Sequence, residues 1–97
     1  MTLPATARSL REQVAWACRI LALEGYADLT LGHVSARARN GETIYIKRKG
    51  VALDEVEPDD VVDLANPSAT LHLETVLHTE VYKRRPDVGA VVEAQLA

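Results

Sequence analysis

The sequence predicts an α/β domain with its elements in the order helix, three strands, helix, strand, and three observations carry that expectation. Leu10, Val14, Cys18 and Leu21 recur at the spacing of one helix face. Asn40-Gly41 separates two short runs in which polar and apolar residues alternate, the pattern of a hairpin. A second helical period, Leu73, Leu77 and Val81, ends at Pro86 and gives way to the apolar run Val88 to Val92.

Taken in order, the first helix is expected from Ala5 to Glu24, with Gly25 as its stop. Trp16, Ile20 and Leu23 widen its apolar surface to a second face, which calls for more than one covering neighbour. The hairpin strands fall at Val34 to Arg39 and Thr43 to Lys47. Asn40-Gly41 suits a two-residue type I′ turn, because both residues tolerate positive φ. Gly50 breaks the second strand, "EVEPDD" reads as a short helical turn or loop, and a third strand follows at Val61 to Leu64. "ANPSAT" is a loop, and the second helix runs from Leu71 to Arg85 with Thr70 as N-cap. The fourth strand is Val88 to Val92, with only five residues after it.

Ninety-seven residues fit one domain, 1–97, with no room for a second. Apolar residues make up 47 % and charged residues 26 %, a globular balance, but one Trp, three Tyr and no Phe imply a thin aliphatic core. A net charge of -3 argues against nucleic-acid binding, since Lys47-Arg48-Lys49 is the one basic cluster. No apolar stretch approaches the ~18 residues that span a bilayer, so no membrane partner is expected. Cys18 has no second cysteine to pair with, and the expected setting is the reducing cytoplasm.

Candidate chemistry is sparse. Glu74 and His78 lie one helical turn apart with His72 just before them, a spacing that can bind a metal or exchange a proton. The plainer reading, an acidic helix start favoured by the helix dipole, takes precedence on spacing alone. Gly32-His33 opens the hairpin, and Gly50 follows Lys47 and Lys49 where it closes. These two loops can cradle an anion at one sheet edge, or they are turn glycines beside solvated lysines. Asp59-Asp60 can pass for a carboxylate pair but fits better as a cap or turn. The sequence holds no glycine-rich phosphate loop, Cys-x-x-Cys pair or serine nucleophile elbow.

Four blocks in order, "LTLGHVSAR", "IYIKRKGVAL", "EPDDVVDL" and "LHLETVLHTEVYKRRPDVGAVV", resemble the class II aldolase/adducin family from about Leu10 to Val92. The resemblance implies a three-layer α/β/α domain with a mostly antiparallel central sheet. It also implies a homo-tetramer with sites between subunits, a small-molecule substrate, and a divalent metal, zinc or manganese, that polarises a carbonyl. Glu74 falls on the family's acid/base glutamate. Gly32 and Gly50 fall on the loops that line the phosphate pocket of the sugar-phosphate aldolases, and His33, Lys49 and His72 join them as substrate-binding candidates. His78 matches a frequent helix position with no role assigned.

Two departures from the family pattern shape the functional expectation. His72-Leu73 stands where sugar-phosphate members place small hydroxyl residues, and His33 where Asn is frequent; both shift the expectation from a phosphate towards a carboxylate substrate. The family's His-x-His metal pair is replaced by Glu93 and Gln95, and its third His has no counterpart. The expectation is therefore the incomplete N-terminal part of a metal-dependent lyase, an aldehyde-lyase or decarboxylase, with no metal of its own and no activity as this chain. The alternative is a non-catalytic interaction fragment or adducin-like binding module, with the edge beside Val88 to Val92 open for pairing.

Overall fold

The computed structural model describes residues 9–26, 32–66 and 75–93. Helix α1 spans Leu10–Leu21. Ser9 caps it by accepting the Glu12 N–H on Oγ at 3.2 Å, while its own hydroxyl donates to the Glu12 carboxylate at 3.3 Å. Val14, Ala15 and Cys18 are buried, with Leu10 and Leu21 packed at the margins, so the expected apolar face is the one that meets the core. The chain leaves the helix through Ala22–Tyr26, where Gly25 takes φ +89°, the left-handed conformation that ends a helix. Of the expected helix, residues 5–8 lie outside the described residues.

Four strands follow: β1 (His33–Arg37), β2 (Ile44–Lys47), β3 (Val61–Asp63) and β4 (Ala90–Glu93), in the sheet order β3-β2-β1-β4 with every neighbour antiparallel. Helix α2, Thr75–Arg84, lies between β3 and β4 in the chain and stops just ahead of Pro86. Each strand lies within two residues of its expected position. Among the described residues β4 is an edge strand, where the sequence predicts an open edge beside Val88 to Val92.

Alternation along β1 sorts the layers. Val34 and Ala36 join Val14, Ala15, Cys18, Val51, Leu53, Val56 and Val61 in one buried apolar cluster beneath α1. His33, Ser35 and Arg37 point to the opposite face, where α2 lies. There Ser35 Oγ meets His78 Nδ1 at 2.6 Å and Tyr82 Oη at 2.8 Å. The Arg37 guanidinium donates to the carbonyls of Tyr82 at 3.0 Å and Arg85 at 3.1 Å, so it satisfies two carbonyls at the helix end. Its charge also lies over the Tyr82 ring, 4.6 Å from the centroid. The result is a three-layer α/β/α arrangement in which one helix interface is apolar and the other polar.

Three expectations are corrected. The hairpin is present, but its loop is not a two-residue type I′ turn. The Ala38 N–H bonds to the Thr43 carbonyl at 2.8 Å, which leaves 39–42 as the loop. The Asn40 side chain decides this, because its Oδ1 accepts both the Glu42 and Thr43 N–H groups at 2.9 Å and holds a wider turn, with Gly41 at φ +80°.

The buried side of α2 is not the Leu77 and Val81 stripe. Thr75, His78 and Tyr82 are buried, whereas Leu77, Val81 and Val76 are exposed at 53 %, 36 % and 56 %. The facing strand presents Ser35 and Arg37, so the polar stripe of the helix is the one that finds hydrogen-bond partners there.

Lys47, finally, is not on a solvated edge. It is fully buried, with Nζ donating to the Val51 carbonyl at 2.6 Å. Among the described residues, no helix is long and apolar enough to cross a membrane.

Candidate functional site

Antiparallel pairing puts the start of β1, the end of β2 and the end of β4 at the same end of the sheet. Gly32, His33 and the 48–50 loop therefore share that end, as the sequence expectation required. Gly50 takes φ +90° in an exposed turn, and Lys49 is exposed beside it. Gly32 is buried, and a Cβ there would stand 2.5 Å from Leu53 Cδ1, so the position is small because the core presses on it. Lys47 lies on the α1 face, away from His33, and its donors point to backbone carbonyls. The convergence of Lys47 with His33 on one anion is thus ruled out by strand parity. Glu74 and His72 lie outside the described residues.

On the α2 face the register sets His33 directly opposite Glu93. His33 Nδ1 stands 3.5 Å from Glu93 Oε1, and His33 is 2 % exposed. His78 reaches the same spot from α2, its ring edge-on to that of His33 with centroids 6.0 Å apart. One ligand atom from each of His33, His78 and Glu93 lies within 4.8 Å of the other two. His78 is completely buried; Ser35 occupies its Nδ1, and its Nε2 has no hydrogen-bond partner, nor has Glu93 Oε2. Burial, with the neighbouring His33 adding to it, pushes the His78 imidazole down to about 4, so this ring is neutral at pH 7.

Two imidazoles and a carboxylate, partly dehydrated and converging, match the chemistry of a divalent cation site. The donor set therefore fits the metal that the family resemblance implies, although it is not the family's His-x-His pair. Sequence reading places Glu93 at the first position of that pair and groups His78 by helical spacing with Glu74 as a pair able to bind a metal or exchange a proton, while the family resemblance gives His78 no role. Neither the period of α2 nor the β1 pattern alone brings His33 and His78 together; the available cue is the run of polar residues at alternate positions His33, Ser35 and Arg37.

Elsewhere at this end the charges are structural. Asp60 accepts the Glu57 N–H at 2.9 Å and pairs with Arg48 at 2.8 Å, the capping role expected of it. Burial alone would raise its carboxyl, but the Glu57 N–H and the Arg48 guanidinium outweigh burial and hold it below its ordinary value. Arg19 ties α1 to the following segment by donating to the Val56 carbonyl at 2.9 Å and pairing with Glu57.

With this fold and site in place, residues 12–93 match the Class II Aldolase and Adducin N-terminal domain, and the chain belongs to that family. It is 41 % identical over 106 residues to a 3,4-dihydroxyphthalate decarboxylase from Arthrobacter keyseri, in an alignment covering 94 % of this chain and 42 % of the relative. Among solved structures it resembles an aldolase II superfamily protein from Pseudomonas syringae, with a TM-score of 0.78 and 25 % identity over 89 % of this chain and 38 % of that one. It also resembles the L-fuculose-1-phosphate aldolase of Thermus thermophilus, with a TM-score of 0.71 and 28 % identity over 89 % of this chain and 46 % of that one. The chain thus spans about two-fifths of the length of the curated relative it matches.

Proposed function

We propose that these residues form the N-terminal part of a class II aldolase-type carbon–carbon lyase that acts as a decarboxylase on a small carboxylate. The observation that carries this reading is the 41 % identity to a 3,4-dihydroxyphthalate decarboxylase. It agrees with His33 at the sheet end and with His72-Leu73 in place of small hydroxyl residues ahead of Glu74. In such a reaction the bond to the carboxylate carbon breaks, CO2 leaves, and the electron pair stays on the remaining carbon. A proton must then reach that carbon, and Glu74 is the acid/base proposed to deliver it. A divalent metal, when bound, supplies positive charge next to the oxygen on which negative charge develops.

Gly32 and Gly50 keep the backbone close at the substrate end, while Lys49, His33 and His72 offer donors to an anionic group. A cytoplasmic homo-oligomer completes the proposal, supported by the buried, unpaired Cys18 and by the exposed Ile20 on α1 and Leu23 in the Ala22–Tyr26 segment after it. The test is a graft in which residues 12–92 of this chain replace their counterparts in the decarboxylase relative. The reading expects CO2 release from 3,4-dihydroxyphthalate, and a loss of about 10²–10⁴-fold with Glu74→Gln. A folded graft that cleaves sugar phosphates instead, or one indifferent to Glu74→Gln, overturns it.

A second reading, a non-catalytic interaction module, is favoured by one feature of the structure. β4 is an edge strand whose Val92 is 54 % exposed. Failure of the chain to co-purify with a co-expressed full-length homologue refutes that reading.

A further inference from the structure

The α2 face of the β1–β4 pair holds polar groups whose burial has no counterpart in the packing. His78 is 0 % exposed and its Nδ1 is held by Ser35 Oγ at 2.6 Å, itself held by Tyr82 Oη at 2.8 Å. That arrangement fixes the ring through Nδ1 and leaves Nε2 without a partner, in a side chain that has a ligand atom within 4.8 Å of those of His33 and Glu93. Glu93 Oε2 is likewise dehydrated and without a hydrogen bond. A buried polar atom left unsatisfied bears its full desolvation cost, so a fold that concentrates such atoms at one spot points to something they hold.

We propose that His33, His78 and Glu93 form a divalent-cation site, selective for zinc-class ions over magnesium and calcium. Two imidazole nitrogens with one carboxylate are the donor set of many catalytic zinc centres, with a fourth position left open to water or substrate. Nitrogen donors disfavour the hard cations magnesium and calcium. The site needs little rearrangement. Tetrahedral donors at zinc stand ~3.4 Å apart for bond lengths near 2.1 Å, and the three ligand atoms already lie within 4.8 Å of one another. Glu93, with its side chain 32 % exposed, is the member free to close the distance. Ser35 acts as a positioning residue, because the bond that it makes to Nδ1 decides which nitrogen of His78 faces the ion.

This site departs from the expectation that the chain holds no metal. That expectation follows from the loss of the His-x-His pair; His33 comes from a position given no metal role, and the metal spacing read for His78 pairs it with Glu74 rather than with His33. It also stands apart from the decarboxylase reading, since it is read by metal binding alone. A chain that binds the ion but whose graft releases no CO2 loses only the functional reading.

The test is titration of the chelator-stripped chain with Zn²⁺ by calorimetry and with Co²⁺ by visible absorption. The expected result is one ion per chain, cobalt bands of a four- or five-coordinate nitrogen and oxygen site, and no displacement by millimolar Mg²⁺. Glu93→Gln is the deciding variant, because it sits at an edge strand and its far-ultraviolet circular dichroism should match wild type. It should weaken zinc at least 10-fold, as should His33→Asn, while Glu80→Gln on the exposed side of α2 changes nothing. Absence of binding overturns the proposal. So does binding that survives Glu93→Gln, or that is lost only with His72→Ala.

Discussion

Gly32→Ala offers a quantitative test of how the sheet end is built. The added Cβ would stand 2.5, 2.9 and 3.0 Å from Leu53 Cδ1, Cγ and Cδ2, against ~3.5–4.0 Å for carbon atoms at ease. Leu53 must therefore move by about an ångström, and it is fully buried in the cluster beneath α1. Overpacking of this kind costs about 1–3 kcal/mol. Leu53→Ala alone leaves a cavity and costs about 2–5 kcal/mol, but it removes all three atoms in the way. In that background Gly32→Ala should cost less than about 0.5 kcal/mol, which gives a coupling of about 0.5–3 kcal/mol between the two sites. Urea unfolding followed by circular dichroism measures the cycle, with sulfate added to keep both single variants folded. Additive effects, or a neutral Gly32→Ala, would refute the claim that packing on Leu53 is what keeps position 32 small.

Three further outcomes follow from named contacts. Burial pushes the Cys18 thiol up to about 12, against an ordinary value of 9.0, so at pH 8 the native chain should react with a disulfide reagent about 10³-fold more slowly than free cysteine. Because the folded value is the raised one, the thiol's contribution to stability is complete below pH 9.0 and is lost as pH rises towards about 12; reaction of native Cys18 at the rate of free cysteine contradicts its burial. The Asp60 carboxyl is held below 3.8 in the fold, so its contribution is present above 3.8 and lost as pH falls through the folded value. Asp60→Asn should cost about 0.5–1.5 kcal/mol at pH 7 and progressively less as pH falls below 3.8 towards the folded value, and a pH-independent cost would be contrary. Ser35→Ala removes the partner of His78 Nδ1 and one partner of Tyr82 Oη, and should weaken zinc about 10–100-fold; unchanged affinity would show that Ser35 only packs.

Much of the architecture is legible in the sequence because local signals agree with the global fold. The α1 stripe, the stop at Gly25, the hairpin and the end of α2 before Pro86 each rest on residues close in sequence. The failures share a different cause. Hydrophobicity alone misplaces the buried face of α2, because β1 offers Ser35 and Arg37 to that helix and so selects His78 and Tyr82. The Asn-Gly signal mistakes the hairpin turn, because the Asn40 side chain competes for the backbone of its own loop. A shared sheet end groups Lys47 with His33, although strand parity sends them to opposite faces.

The candidate site is legible only in its parts. Glu93 stands where the family has a metal ligand, and His33 occupies a position where the family often has Asn, while His78 matches a helix position without a role. That the three converge depends on β4 returning to pair with β1 in one particular register, His33 opposite Glu93. A slip of one residue would send Glu93 to the other face. Long-range register of this kind leaves no local mark in a sequence.

The most direct measurement is anomalous X-ray diffraction at the zinc edge from crystals of the chain grown with one equivalent of Zn²⁺. The account predicts a single strong peak bounded by His33 Nδ1 or Nε2, His78 Nε2 and a Glu93 carboxylate oxygen. A peak confined to other residues, with His78 Nε2 still unliganded, would contradict it.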